Sequence, residues 1–221
     1  MLHRHLLFLL AAGSLLLGGC ATTSTHEPRN LGDLKLEIDR YVDSGDYQRE
    51  IAAVAVQAKA WIEERAAQKK PGERPAIVLD VDETILSNVP LIRREDYGYI
   101  PDTWNTWVHA GQCPAIEPVR EAYRAAVARG VSVFIITGRR ERDREGTVEN
   151  LKFAGYGAYA GLYFKADDSR EMTGPFKLAW RRKLAAEGYN IIANIGDQDS
   201  DFAGGGAERD FKLPDPFYRT K

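Results

Sequence analysis

Cysteine is nearly missing from this chain: 221 residues hold two, Cys20 and Cys113. A framework of several disulfides, which holds many small exported domains together, is therefore excluded. Histidine is almost as scarce. His3 and His5 sit at the very start, His26 lies in a polar stretch, and His109 stands alone. One isolated histidine does not build a zinc centre, and no Ser/His/Asp arrangement offers a hydrolytic triad. Neither sign of charge dominates, with 30 Lys+Arg against 32 Asp+Glu. Without a concentrated basic patch, a nucleic acid polymer is excluded as a partner. The cluster Arg139, Arg140, Arg142 and Arg144 is interleaved with acids and is read as the solvated start of a helix. No internal repeat or low-complexity stretch occurs.

The longest apolar run, Leu6 to Leu17, follows the basic His3-Arg4-His5. About a dozen residues suit the core of an export signal and fall short of the ~20 that span a bilayer. Leu17-Gly18-Gly19-Cys20 resembles the lipobox of bacterial lipoproteins. That resemblance implies cleavage before Cys20, lipidation of Cys20, and an exported protein anchored at the bacterial outer membrane facing the periplasm. An ordinary export signal cut near Ala21 is the alternative. The expected division is a signal peptide over 1–19, a polar tether over 20–32, and one catalytic domain over 33–221. That domain is long enough for a substantial core.

Past the tether the periodicity is helical. Ile51, Val54, Ala58, Trp61, Ile62 and Ala66 mark one helix, with Ser44 or Asp46 as its N-cap, and Leu34, Ile38, Tyr41 and Val42 mark a shorter one before it. After Lys70-Pro71-Gly72 the pattern changes. Short apolar runs rich in β-branched residues appear at Ala76–Leu79, Val131–Ile136 and Ile191–Ile195, with a weaker one at Gly161–Phe164. Such runs suit strands buried on both faces. Helical segments separate them, over Glu117–Arg129, Arg142–Ala154 and Pro175–Glu187, each followed by glycine. The alternation predicts an α/β fold around a central parallel sheet. Residues 91–116, rich in aromatics and proline, interrupt it and are expected to form an insertion over the end of the first strand.

Parallel α/β sheets bind ligands beyond the carboxyl ends of their strands. Here those ends carry Asp80-Val81-Asp82-Glu83-Thr84, Thr137-Gly138-Arg139 and Gly196-Asp197-Gln198-Asp199-Ser200-Asp201. Four or five carboxylates converge on one edge, where they repel unless a cation binds them. Oxygen ligands suit a hard ion such as Mg2+.

These segments, together with Lys177 and the stretches Leu79–Pro90, Ile135–Arg139, Lys177–Asp201 and Leu213–Tyr218, resemble the four motifs of the haloacid-dehalogenase superfamily. The similarity is to its subfamily of bacterial outer-membrane lipoprotein acid phosphatases and plant vegetative storage proteins, and it covers everything after the tether. It implies a Rossmann-like core with N-terminal helices, a small aromatic-rich cap, and magnesium-dependent hydrolysis of small phosphate monoesters. Asp80 would attack phosphorus and form an aspartyl-phosphate. Asp82, two residues on along an extended strand, would protonate the leaving oxygen and then deprotonate water. The Asp82 backbone carbonyl, Asp80 and Asp197 would hold the ion, and Asp201 would orient a water of its shell. Thr137 and Gly138 would bind the phosphoryl group and Lys177 would balance its charge. Lys165 rivals Lys177 by position. Lys177 opens the helix leading into the Asp197 strand and matches the family's position. Asp199 is a spectator.

The resemblance extends to specificity, because related phosphatases stack aromatics on nucleotide bases. Trp104, Trp107, Phe217 and Tyr218, with Tyr97 and Tyr99 nearby, are the candidates to hold a nucleoside monophosphate. Trp104 and Trp107 are three apart and fit equally a packed helical cap. Among other functions, the retained Asp80 and Asp82 oppose a silent storage protein, and Asp82 opposes a dehalogenase. Phosphoryl transfer to an alcohol stays open. An oligomer is compatible with all of this.

Overall fold

The structure, a computed structural model, describes residues 28–220. The expected signal peptide and Cys20 lie outside the described residues. The first helix, α1 (Leu31–Asp43), starts within the segment read as tether, where the Asn30 side chain accepts a hydrogen bond from the Gly32 N–H at 2.8 Å. It packs on α2 (Asp46–Ala67), whose N-cap is Gly45 in left-handed backbone and neither of the two residues expected. The insertion resolves into two short helices, α3 (Val89–Arg94) and α4 (Pro101–Ala110). The remaining helices are α5 (Glu117–Ala128), α6 (Arg144–Phe153) and α7 (Thr173–Ala186). In α3, α4 and α5 a proline occupies the first turn, where its missing N–H has no helical partner to lose.

Five parallel strands form one sheet in the order β3-β2-β1-β4-β5. They are β1 (Arg74–Leu79), β2 (Ser132–Arg140), β3 (Gly161–Lys165), β4 (Tyr189–Gly196) and the three-residue edge strand β5 (Asp210–Lys212). Only β5 carries no apolar run in the sequence. Alternation along β1 divides the core: Ile77 and Leu79 face α2 and α5, while Ala76 and Val78 face the α7 side with Phe134, Ile136 and Leu184. An ion-pair network closes the amino end of the sheet, with Arg65 bonded to Glu73 and Glu208 and Asn190 donating to both acids.

Register decides where the chemistry lands. Leu79 pairs with Ile135 on one side and Ile195 on the other. The residues that follow each partner therefore emerge side by side at the carboxyl edge. The chain also turns from one side of β1 to the other here, which opens a crevice between neighbouring strand ends. Two glycines permit the close packing around it. A Cβ at Gly146 would collide with the Val108 carbonyl, so α6 seats α4 directly on its backbone. A Cβ at Gly196 would strike the Asp201 carboxylate, which folds back over the end of β4.

Candidate active site

Beyond β1 and β4 three buried acids converge. Asp80, Asp197 and Asp201 each offer a carboxylate oxygen, and these oxygens lie within 4.8 Å of one another. Among the described residues this is the one group of three or more side chains able to hold a metal ion. Lys177, buried at the start of α7, donates to Asp80 and, at 2.5 Å, to Asp201. Asp197 accepts from the Thr84 hydroxyl at 2.9 Å and from the Gln198 amide at 2.7 Å. Burial pushes the Asp80 and Asp197 carboxyls above the usual range, and the neighbouring acids push further, while Lys177 partly offsets this at Asp80. Burial opposes the charge of Lys177 as well, yet Asp201 and Asp80 outweigh it and hold the ammonium firmly protonated. One lysine among three buried acids leaves negative charge in excess. An all-oxygen donor set in that condition fits a hard divalent cation.

Asp82 sits beside this cluster in different company. Arg139 grips it with two nitrogens, Nη2 to Oδ1 at 2.7 Å and Nε to both oxygens at 3.1 Å. The Arg139 side chain is 1 % exposed, so reading it as part of a solvated helix start is wrong. β2 runs on through Arg140 and carries residue 139 inward, where its Nη1 also reaches the Thr147 hydroxyl at 3.0 Å. Thr137 is buried just before it, and its oxygen accepts from the Arg139 N–H at 3.1 Å. Gly138 lines the cavity above. Lys165 turns away and donates to the Glu171 carbonyl, which leaves Lys177 as the lysine at the acids. Asp199 is exposed, 3.6 Å from Arg219.

A cavity of about 560 Å³ opens over these groups, with Asp80, Asp82 and Lys177 at its base. That volume suits a small ligand. Trp104 lines it with its ring 5.8 Å from the Arg139 guanidinium, and exposed Tyr99 lies 6.1 Å from Trp104. Tyr218 lines it too, although its hydroxyl donates to Glu83 at 2.7 Å. Phe217 reaches the cavity but is mostly core, packed edge-on against Tyr47 and stacked on Tyr97. Trp107 is not among the lining residues. It turns inward and donates to Asn88 at 2.9 Å.

Sequence reading misplaced Arg139 and gave Glu83, Asn88 and Arg181 no role. Glu83 stood inside the acidic run, yet it is fully buried with a φ of 51°. Arg181 is one helical turn beyond Lys177 and donates to the backbone carbonyls of Asp201, Ala203 and Gly205, fixing the loop that carries the acids. Only its spacing from Lys177 hinted at this.

Comparison with known proteins agrees with the geometry. The solved class C acid phosphatase of Bacillus anthracis with tungstate bound shares the fold, with a TM-score of 0.71 at 22 % identity over 86 % of both chains. Acid phosphatase 1 of Solanum lycopersicum is 34 % identical over 190 residues, which are 83 % of this chain and 68 % of that protein. The stem 28 kDa glycoprotein of Glycine max is 33 % identical over 185 residues, 80 % of this chain and 71 % of the relative. The sequence profile described as HAD superfamily, subfamily IIIB (acid phosphatase) matches residues 15–221. The carboxylates gathered at the ends of β1 and β4 thus belong to a phosphomonoesterase, and the chain is a member of the subfamily IIIB acid phosphatases of the HAD superfamily.

Proposed function

We propose that this phosphatase works through an aspartyl-phosphate on Asp80 and takes nucleoside 5'-monophosphates among its substrates. The observation that carries the reading is the Asp80 carboxylate held by Lys177 at the floor of the cavity, beside a second acid, Asp82, in a separate environment. An Asp80 oxygen attacks phosphorus as the bond to the ester oxygen breaks, and Asp82 gives its proton to that departing oxygen. Water then attacks phosphorus, Asp82 takes its proton, and the bond to Asp80 breaks to free inorganic phosphate. Thr137, Gly138 and Lys177 bind the phosphoryl oxygens throughout. Asp80, Asp197 and the Asp82 backbone carbonyl would hold Mg2+, with Asp201 orienting a water of its shell, and the ion would supply positive charge against the negative charge of the phosphoryl group. Release of inorganic phosphate from AMP and from small aliphatic esters, with Mg2+ present, tests the whole reading; no release from any ester sinks it.

Base recognition rests on the aromatics that line the cavity, chiefly the half-buried Trp104 and Tyr218, with the buried Phe217 behind them. Stacking on a base contributes ~1–3 kcal/mol. Trp104→Ala should therefore lower kcat/KM for AMP by about tenfold or more and barely touch glycerol phosphate. Equal losses on both substrates would make the ring structural and the enzyme indifferent to bases.

The Leu17-Gly18-Gly19-Cys20 sequence supports export with a lipid on Cys20. No helix among the described residues is long and apolar enough to cross a membrane. Labelled fatty acid should mark the wild-type chain and spare Cys20→Ala. Label on both, or on neither, removes the anchor.

A further inference from the structure

Two aromatics that the sequence offers to the substrate spend their polar atoms elsewhere, and both lead to Asn88. Its side-chain Nδ2 donates to Asp82 Oδ1 at 2.8 Å and to Glu83 Oε2 at 3.1 Å. Its Oδ1 accepts from the Trp107 indole at 2.9 Å, with the Cys113 sulfur at 3.5 Å. Its backbone N–H donates to Glu83 Oε1 at 2.5 Å, and Tyr218 donates to Oε2 of the same acid. Asn88 and Glu83 are both fully buried. An indole N–H only donates and a carboxylate only accepts, so the amide has one satisfactory orientation, with its NH₂ towards the acids. Trp107 sets that orientation. Glu83 holds left-handed backbone at its φ of 51°, a conformation disfavoured by ~1–2 kcal/mol for a residue with a Cβ and offset here by the bonds it accepts.

Asp82 is thereby held from two sides. Its Oδ1 takes both Asn88 and Arg139, whereas Oδ2 takes only the Arg139 Nε and keeps a lone pair for the proton it must carry. Without Asn88 the carboxylate would be held by the arginine alone. We propose that Asn88 is the positioning residue for the acid–base Asp82, and that Trp107, by locking the amide, ties the seat of α4 to the presentation of the proton. The inference rests on Asp82 acting as the general acid–base. It also gives Trp107 a task in place of base stacking, and α4 a double one. Trp104 on that helix faces the substrate while Trp107 faces the machinery.

Leaving-group dependence separates positioning from mere support of the fold. A p-nitrophenyl leaving group departs with little protonation, whereas an alkoxide needs a proton. Asn88→Ala should lower kcat/KM, which covers only the steps through expulsion of the leaving group, by ~10–100-fold on an alkyl phosphate, a good part of what general acid catalysis supplies, with a much smaller loss on p-nitrophenyl phosphate. Hydrolysis of the aspartyl-phosphate, common to both esters, does not enter this ratio. Trp107→Phe keeps an aromatic ring, though a smaller one, and removes the donor, and should shift the two substrates apart in the same direction by less. Should Asn88→Ala not fold, Trp107→Phe carries the test. Added to Asp82→Asn, the Asn88 change should cost nothing more on the alkyl ester, because the group it positions is gone. Equal losses on both esters, or a further loss in the Asp82→Asn background, overturn the proposal. If Asp82→Asn itself lowers kcat/KM equally for both esters, the acid–base reading falls and this inference with it. If Asp82→Asn discriminates and neither the Asn88 nor the Trp107 variant does, this inference alone is wrong.

Discussion

Asp80→Asn should abolish turnover, with a loss of ~10⁴-fold or more, while the protein stays folded. An amide nitrogen or oxygen does not attack phosphorus at any useful rate, and no other carboxylate can take over. Asp197 and Asp201 belong to the same cluster, but Asp197 is tied to Thr84 and Gln198, and Asp201 accepts from the Gln198 N–H at 2.8 Å and from Lys177. Stability has reason to survive the change. The substitution removes one negative charge from a buried site that holds an excess of it, and Lys177 keeps Asp201 as a partner. The melting temperature without metal should therefore equal or exceed that of the wild type. Turnover near wild type in a folded Asp80→Asn variant would mean that Asp80 is not the nucleophile and would end the aspartyl-phosphate scheme.

Removal of divalent metal should silence the enzyme almost as completely. Chelation is expected to stop phosphate release, and Mg2+ to restore it. Calorimetry gives a second readout independent of catalysis. A ligand that binds only the folded state, present at a hundred times its Kd, stabilises by about 2.7 kcal/mol, which in a domain of this size raises the melting temperature by roughly 5–10 °C. Asp80→Asn and Asp197→Asn should each shrink that increment. Carboxylates must be ionised to bind, so affinity for the ion should weaken towards acid pH. Full activity after exhaustive chelation, or a melting temperature indifferent to Mg2+, would leave the buried acids without a metal to hold.

The sheet and the acids at its edge were legible because their signals are local. An unbroken run such as Ala76–Leu79 has no polar residue to place in water, so burial on both faces follows, and the acid next in line must sit at the strand end. Charge showed that the four or five acids at the strand ends need compensation; which of them form the triad Asp80, Asp197 and Asp201 came from the family resemblance. Partners distant in sequence were not legible. Arg139 looked solvated because acids flank it in the chain, yet its true partner is Asp82, 57 residues earlier. Asn88 sits in a loop with no periodicity, and its value comes from Trp107 and Asp82 arriving on either side. The weak spot in the fold reading was β5, three residues at an edge that pair only with β4 and need no hydrophobic run.

The close fit at Gly196 and Gly146 has a bearing on how such an enzyme diversifies. At position 196 any side chain displaces Asp201, and at 146 any side chain lifts α4 from its seat, so both are closed to mutation. Tyr99, by contrast, is 70 % exposed at the rim of the cavity, on a segment that contributes nothing to the strand ends. Lineages with this architecture can exchange residues at the rim, and with them the substrates accepted, at almost no risk to the reaction. Descendants should therefore agree on how the ester is cut long after they disagree on which ester it is.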